Sequence, residues 1–273
     1  MLELTILVEN STKIDLYLAG EPGLSVWLEC CGRKILFDTG YSGLFLQNAA
    51  QLGVDVSQMD MLVYSHGHND HTWGTHALVE YLDKKNAARA PALLAHPRVF
   101  ENKRAQGHLI GAVMREEALS AFFDVVLSAE PLEIEPELWW LGEIPASVTP
   151  RRASGTICGA SDVTPDLCVD DSALAYRGRD GLVIITGCSH SGICNIVAHA
   201  KSVTGETRVA DIIGGFHLLD ASAEELQEVT AYLSAAGVST MHPCHCTDFK
   251  AKMALAAAFD VREAYTGLRF KYK

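Results

Sequence analysis

In "LELTILV" the apolar residues Leu2, Leu4, Ile6 and Val8 recur at every second position, the period of a strand. "LSVWLEC" and "KILFDTG" read as two further strands turning at Gly32, and "GLFLQNAAQLG" as a helix closed by Gly53. "MDMLVYS" is a buried strand and "THALVEYLDKK" the helix after it. The second half alternates in the same way. "SALAYRG" and "GLVIITGC" form a strand pair turning at "RGRDG", followed by a helix near "GICNIVAHAKSV", the strand "VADIIGG" and the helix "SAEELQEVTAYLSAAG". "VSTMHPC" is a strand, "DFKAKMALAAAF" a helix, and "GLRFKY" holds a last short strand. Residues 97–170 show the least regular pattern and are expected to form an insertion or lid. No linker and no solenoid-length repeat interrupts the chain, so the expectation is one α/β domain over 1–273, with sheets inside and helices outside.

Composition narrows the function more than the fold. The 273 residues are 48% hydrophobic and 21% charged, which suits a globular chain with a large core. A net charge of −12 disfavours nucleic acid and anionic membrane surfaces, because phosphate binding needs clustered Lys and Arg. "MLELTILVEN" lacks the basic and long apolar regions of a secretory signal, and "GLVIITGC" is too short to span a bilayer, so a cytoplasmic location is expected. The eight cysteines form no CxxC pair and no disulfide framework, and Cys30, Cys31, Cys158 and Cys168 read as small buried hydrophobes.

The candidate chemistry is concentrated in "SHGHNDHTWG", residues 65–74, directly between a strand and a helix. Imidazole nitrogens and carboxylate oxygens suit zinc and similar divalent ions. His66 and His68, two apart, reach one metal if the backbone is extended, and Asp70 and His71 reach a second after the chain turns. Two metals need further ligands, and His190, His217 and His245 each follow a predicted strand. His76 and His199 lie within predicted helices and His242 within a strand, so these three read as ordinary packing or surface residues.

"SHGHNDHTWG" resembles the HxHxDH signature of the metallo-β-lactamase superfamily, and "ILFDTG", with Asp38, resembles its earlier aspartate motif. "GLSVWLE", "LGEIP", "DDSALAY", "GCSHSGICNIV", "GGFHL" and "PCHCTD" bring the resemblance closer to the branch labelled dihydropterin-methyl-ribofuranosylaminobenzene-phosphate synthase-like. The resemblance implies an αββα four-layer sandwich with the metal site at one edge of its two sheets. It implies His66, His68 and His190 for a first metal, and Asp70, His71 and His245 for a second. Many superfamily members have a bridging aspartate where this chain has Cys188, which leaves Cys188 open as ligand, packing residue or near neighbour. Asp38 is expected behind a ligand histidine, orienting it. Trp73 stands where the branch has glycine, and is expected either beside the metals, against a substrate ring, or packed in the core. If "CHC" is extended, Cys244 and Cys246 point away from His245 and pack.

Together these features predict a hydrolase in which a metal-bound hydroxide attacks a small anionic substrate, a phosphate ester or diester. Two divalent ions are expected, zinc first, with manganese or iron as alternatives. Asp70 and His217 are the candidate catalytic groups, with His217 giving a proton to the leaving group. Arg98, Lys103 and Arg104, clustered in "HPRVFENKRAQGH", are candidates for gripping the anion, against the alternative of a solvated helical face. Arg151 and Arg152 raise the same possibility. The competing expectations are the branch's synthase reaction, joining a pterin to a ribofuranosylaminobenzene phosphate, and a non-catalytic ligand sensor. No nucleic-acid or membrane partner is expected, and a homo-oligomer is left open.

Overall fold

The structure, a computed structural model, describes residues 1–85 and 90–273. Two mixed seven-stranded sheets lie face to face. The first runs in the order Arg269–Tyr272, Leu2–Val8, Ser25–Cys30, Arg33–Phe37, Met61–Val63, Ala92–Ala95 and Asp124–Leu127. The second runs Asp260–Val261, Thr240–Cys244, Val209–Gly215, Gly181–Thr186, Ala173–Gly178, Leu138–Trp140 and Leu132–Glu135. Each sheet changes from antiparallel to parallel pairing part-way across.

The period-two pattern decides which core each side chain joins. Leu2, Leu4 and Ile6 meet Leu174, Val183, Ile185 and Ile213 between the sheets. The opposite face of the first sheet, with Leu36, Leu62 and Leu93, packs on Phe45 of helix Leu44–Leu52 and Leu78 of helix Thr75–Lys85. Leu182, Ile184 and Ile212 of the second sheet pack on Ile196, Leu226 and Leu255 from helices Ile193–Thr204, Ala223–Ala235 and Phe249–Ala256. The four layers are therefore helix, sheet, sheet, helix. Val8 leaves the alternation of its strand, because a register shift between Ile6 and Val8 turns it to the helix side with Leu7.

Residues 97–170 are more ordered than their sequence pattern suggests. Asp124–Leu127, Leu132–Glu135 and Leu138–Trp140 join the main sheets. A separate four-stranded sheet forms from Val163–Pro165, Thr156–Cys158, Lys103–Ala105 and His108–Leu109. Among the described residues no helix is long and apolar enough to cross a membrane. All eight cysteines are free. Cys30 and Cys168 are buried as expected, but Cys31 is exposed at the Gly32 turn and Cys158 is only half-buried on the small sheet.

Candidate metal centre

The parallel strands all end at one edge of the sandwich, and their C-terminal loops carry the polar residues. Phe37 leads to Asp38, Val63 to His66, Thr186 to Cys188 and His190, Gly215 to His217, and Cys244 to His245. Asp38, Ser189, His217 and His245 all have positive φ, between 50° and 65°. A left-handed non-glycine residue carries strain, and such residues concentrate where the surroundings hold a functional geometry. His245 is thus not extended, which corrects the reading of "CHC". Cys244 packs between the sheets, but Cys246 turns back, its sulfur accepting from the His217 amide at 3.3 Å and lying 3.3 Å from the Cys188 carbonyl oxygen.

Two donor groups meet at this edge. In the first, ring nitrogens of His66, His68 and His190 lie within 4.8 Å of one another, all three residues buried. His66 Nε2 and both ring nitrogens of His190 are buried without a hydrogen-bond partner among the described residues. Leaving such groups unpaired is costly unless something else occupies their lone pairs. The second group is Asp70, His71, Cys188 and His245. Cys188 Sγ lies 3.2 Å from His71 Nε2 and 3.2 Å from His245 Nε2, and these two nitrogens are 3.2 Å apart. Asp70 Oδ2 is 3.2 Å from His245 Nε2 and 3.6 Å from His71 Nε2. A tetrahedral ion with bonds of about 2.0–2.3 Å has ligand–ligand edges of roughly 3.3–3.8 Å. The donor set and its spacing fit a divalent metal.

Asp38 sets the direction of two of these rings. It is fully buried, and its Oδ1 accepts the Ser65 amide at 2.7 Å. Its Oδ2 accepts Ser65 Oγ at 2.6 Å and pairs with His71 Nδ1 at 2.7 Å. Ser65 Oγ also meets His66 Nδ1 at 2.9 Å. One carboxylate thereby turns Nε2 of both His66 and His71 toward the donor groups. His245 is held from the first strand's end: Glu9 Oε1 accepts its amide at 2.7 Å and Asn10 Oδ1 meets its Nδ1 at 3.2 Å. Asp171 accepts the Ser191 amide at 2.9 Å and so pins the loop carrying Cys188 and His190. Ser65, Glu9, Asn10 and Asp171 were not singled out as site residues from sequence, although Asp171 belongs to the quoted "DDSALAY".

Burial, reinforced by neighbouring imidazoles, holds His66 and His190 well below the ordinary histidine pKa. Burial acts the same way on His71, but the Asp70 and Asp38 carboxylates outweigh it and push that group up to about 9. Burial raises the Cys188 thiol well above its usual value, and the adjacent Cys246 adds to this. In Asp70 burial is outweighed by His71 and His245, which hold the carboxyl far below the usual range.

The other candidates separate. His217 joins Cys188 and His190 in a third donor trio, with its ring 4.1 Å from that of His190. It lines a cavity of about 300 Å³ with His190, Ile193, Phe216 and Arg152, whose guanidinium meets Glu225 at 2.8 Å. Lys103 is corrected: its side chain is fully buried between Asp166 and Asp170, so it offers no free cation to a substrate. Arg98 pairs with Glu101 at 2.7 Å and Arg104 donates to the Gly107 carbonyl, and neither lines that cavity. The solvated helical face proposed for this stretch is also absent, since Lys103–Ala105 and His108–Leu109 are strands. Arg151 is spent on the Ile144, Leu167 and Cys168 carbonyls. Trp73 donates its indole N–H to the Gly111 carbonyl at 2.9 Å and meets Tyr41 edge-on. His242 pairs with Asp211, His199 binds the Leu141 carbonyl, and His76 is exposed.

Residues 18–194 match the family model of the metallo-beta-lactamase superfamily. The chain is 29% identical over 254 residues to the 7,8-dihydropterin-6-methyl-4-(beta-D-ribofuranosyl)-aminobenzene-5'-phosphate synthase of Methanocaldococcus jannaschii, covering 88% of this chain and 85% of the relative. It is 30% identical over 247 residues to an uncharacterised protein of the same organism, covering 90% and 91%. The crystal structure of Tm1679, described as a metal-dependent hydrolase of the beta-lactamase superfamily, aligns with a TM-score of 0.86 at 28% identity, over 99% of both chains.

Proposed function

The chain belongs to the metallo-beta-lactamase superfamily, and from that premise we propose a metal-dependent hydrolase acting on a small anionic substrate, a phosphate ester or diester. The observation that carries this reading is the meeting of two donor groups at one sheet edge, with buried histidine nitrogens left unpaired. His66, His68 and His190 would hold one divalent ion, and Asp70, His71, Cys188 and His245 a second, zinc first and manganese or iron as alternatives. When bound, such ions supply Lewis acidity and a water that ionises near neutral pH.

The chain's own residues bind and move protons around that centre. The cavity lined by His190 and His217 receives the substrate; Arg152 also lines it, and would grip an anion there by exchanging its Glu225 partner. His217 Nδ1 is buried without a partner among the described residues. Burial draws the pKa of His217 down, but the adjacent Cys246 outweighs it and holds the group above the ordinary histidine value. His217 therefore keeps its proton to higher pH than usual, as a donor to a leaving group requires. The net charge of −12 supports a small-molecule substrate over nucleic acid, and a cytoplasmic setting belongs to the same reading.

The synthase-named relative supports a second reading, in which the same residues serve a condensation. Chromogenic phosphomonoesters, phosphodiesters and lactones, offered to the metal-loaded protein beside a pterin-and-phosphate condensation assay, separate the two. Chelator-sensitive hydrolysis of one phosphoester class is the expected result. Condensation product without any hydrolysis would replace the hydrolase reading.

The two positions should also differ in pH response. Metal at the second position must displace a proton from His71, held up to about 9, and another from the buried Cys188 thiol. Affinity there should rise by up to about tenfold per pH unit for each proton displaced, from pH 6 to 8. His66 and His190 are already neutral in that range, so the first position should respond less. Calorimetric zinc titrations in buffers of different ionisation enthalpy read this directly, and equal proton release at both steps would contradict it.

A further inference from the structure

Lys103 is presented by the small four-stranded sheet and is fully buried. Its Nζ pairs with Asp170 Oδ1 and lies 3.4 Å from Asp166 Oδ2. Both carboxylates reach on to the loop of the first donor group. Asp170 Oδ2 accepts the amide of Gly67, the residue between His66 and His68, at 2.8 Å. Asp166 Oδ2 faces His68 Nε2 at 3.6 Å, and Asp166 Oδ1 accepts the Cys168 amide at 2.8 Å. Arg151 braces the same turn through the Leu167 and Cys168 carbonyls. Gly67 has no room to move, since a Cβ there would stand 2.1 Å from the Val99 carbonyl oxygen. The chain just beyond the small sheet also grips this loop: Asn69 donates to the Ile110 carbonyl at 2.7 Å, and His68 bridges Gly111.

A buried ion cluster is weak evidence for stability, because desolvation offsets much of the attraction. Here one ammonium faces two carboxylates, which leaves one net negative charge beside a histidine. That arrangement favours a proton on His68 Nε2 and leaves Nδ1 for the donor trio. We propose that Lys103, Asp166 and Asp170 are positioning residues, which fix the His68 tautomer and the Gly67 turn and so raise metal affinity at the His66–His68–His190 position. The small sheet is then a prop beneath the first metal position, and the burial of Lys103 has a function distinct from substrate binding.

This deepens the metal reading and rests on it, yet the two fail separately. Nitrogen-15 NMR of the metal-free native protein should show His68 protonated at Nε2 alone, and the opposite tautomer would overturn the proposal without any variant. Cobalt(II) titration separates the positions, because Cys188 belongs to the second donor group and not to the His66–His68–His190 trio, so a thiolate charge-transfer band marks the second step. Asp166→Asn should weaken cobalt uptake without that band by about 10–100-fold and leave the thiolate-marked step unchanged. A native protein that binds no cobalt would sink the metal reading itself. Normal cobalt affinity in Asp166→Asn, with only a lower melting temperature, would show a merely structural cluster and overturn this inference alone. If Asp166→Asn does not fold, Asp166→Glu, which keeps the carboxylate, should retain both the Nε2 tautomer and near-native uptake, and loss of that tautomer with unweakened uptake would overturn the proposal.

Discussion

Asp70→Asn is expected to lower kcat/KM on the order of 10³-fold, a loss of about 4 kcal/mol in transition-state stabilisation. Asp70 is the only carboxylate in the second donor group, where its Oδ2 stands 3.2 Å from His245 Nε2. Asparagine keeps the shape and removes the charge that a divalent ion needs opposite two imidazoles and a sulfur. His66, His68 and His190 form a separate trio, so one ion should remain. The variant should therefore fold, hold about half the native metal, and turn over slowly. Kinetics on whichever phosphoester the native protein cleaves, with metal analysis of the same sample, read both effects. Unchanged activity would remove Asp70 from the mechanism.

Asp38→Ala should be more damaging to the fold. The carboxylate is fully buried and satisfies the Ser65 amide, Ser65 Oγ and His71 Nδ1 at once. Removing it leaves all three without that acceptor, and breaking a buried charged pair from one side costs about 3–5 kcal/mol. The same change frees the His66 and His71 rings, whose Nδ1 atoms it fixes directly or through Ser65. Denaturant unfolding should show the lower midpoint, and zinc titration should show weakening at both positions. Asp38→Asn should recover part of the stability but not the metal affinity, because its amide NH₂ cannot accept from His71. Stability and affinity both near native in Asp38→Ala would show that Ser65 and solvent can replace the carboxylate.

The layers of this fold were legible because strand and helix periods are local properties. Gly53 and Gly205 end their helices in left-handed conformations, and the first of these was readable as a stop signal. The donors in "SHGHNDHTWG" were legible because four ligand types crowd one strand end. Their supports were not. Glu9 reaches His245 across 236 positions, and Lys103 reaches Asp170 across 67, so nothing nearby in the chain announces either contact. The basic cluster misled because charge in a sequence does not show whether a partner is waiting; Lys103 has two. In the sequence Cys188 admits several roles; the fold places its sulfur equidistant from His71 and His245. The irregularity of 97–170 came from short strands whose partners lie elsewhere in the chain, as Lys103–Ala105 pairs with Thr156–Cys158.

In the proposed site this sheet edge holds two divalent ions, one per donor group. Native protein loaded with zinc, freed of excess metal and assayed by elemental analysis tests it most directly. Two equivalents per chain are expected, falling to about one in Asp70→Asn. Fewer than one equivalent in the native protein would contradict it.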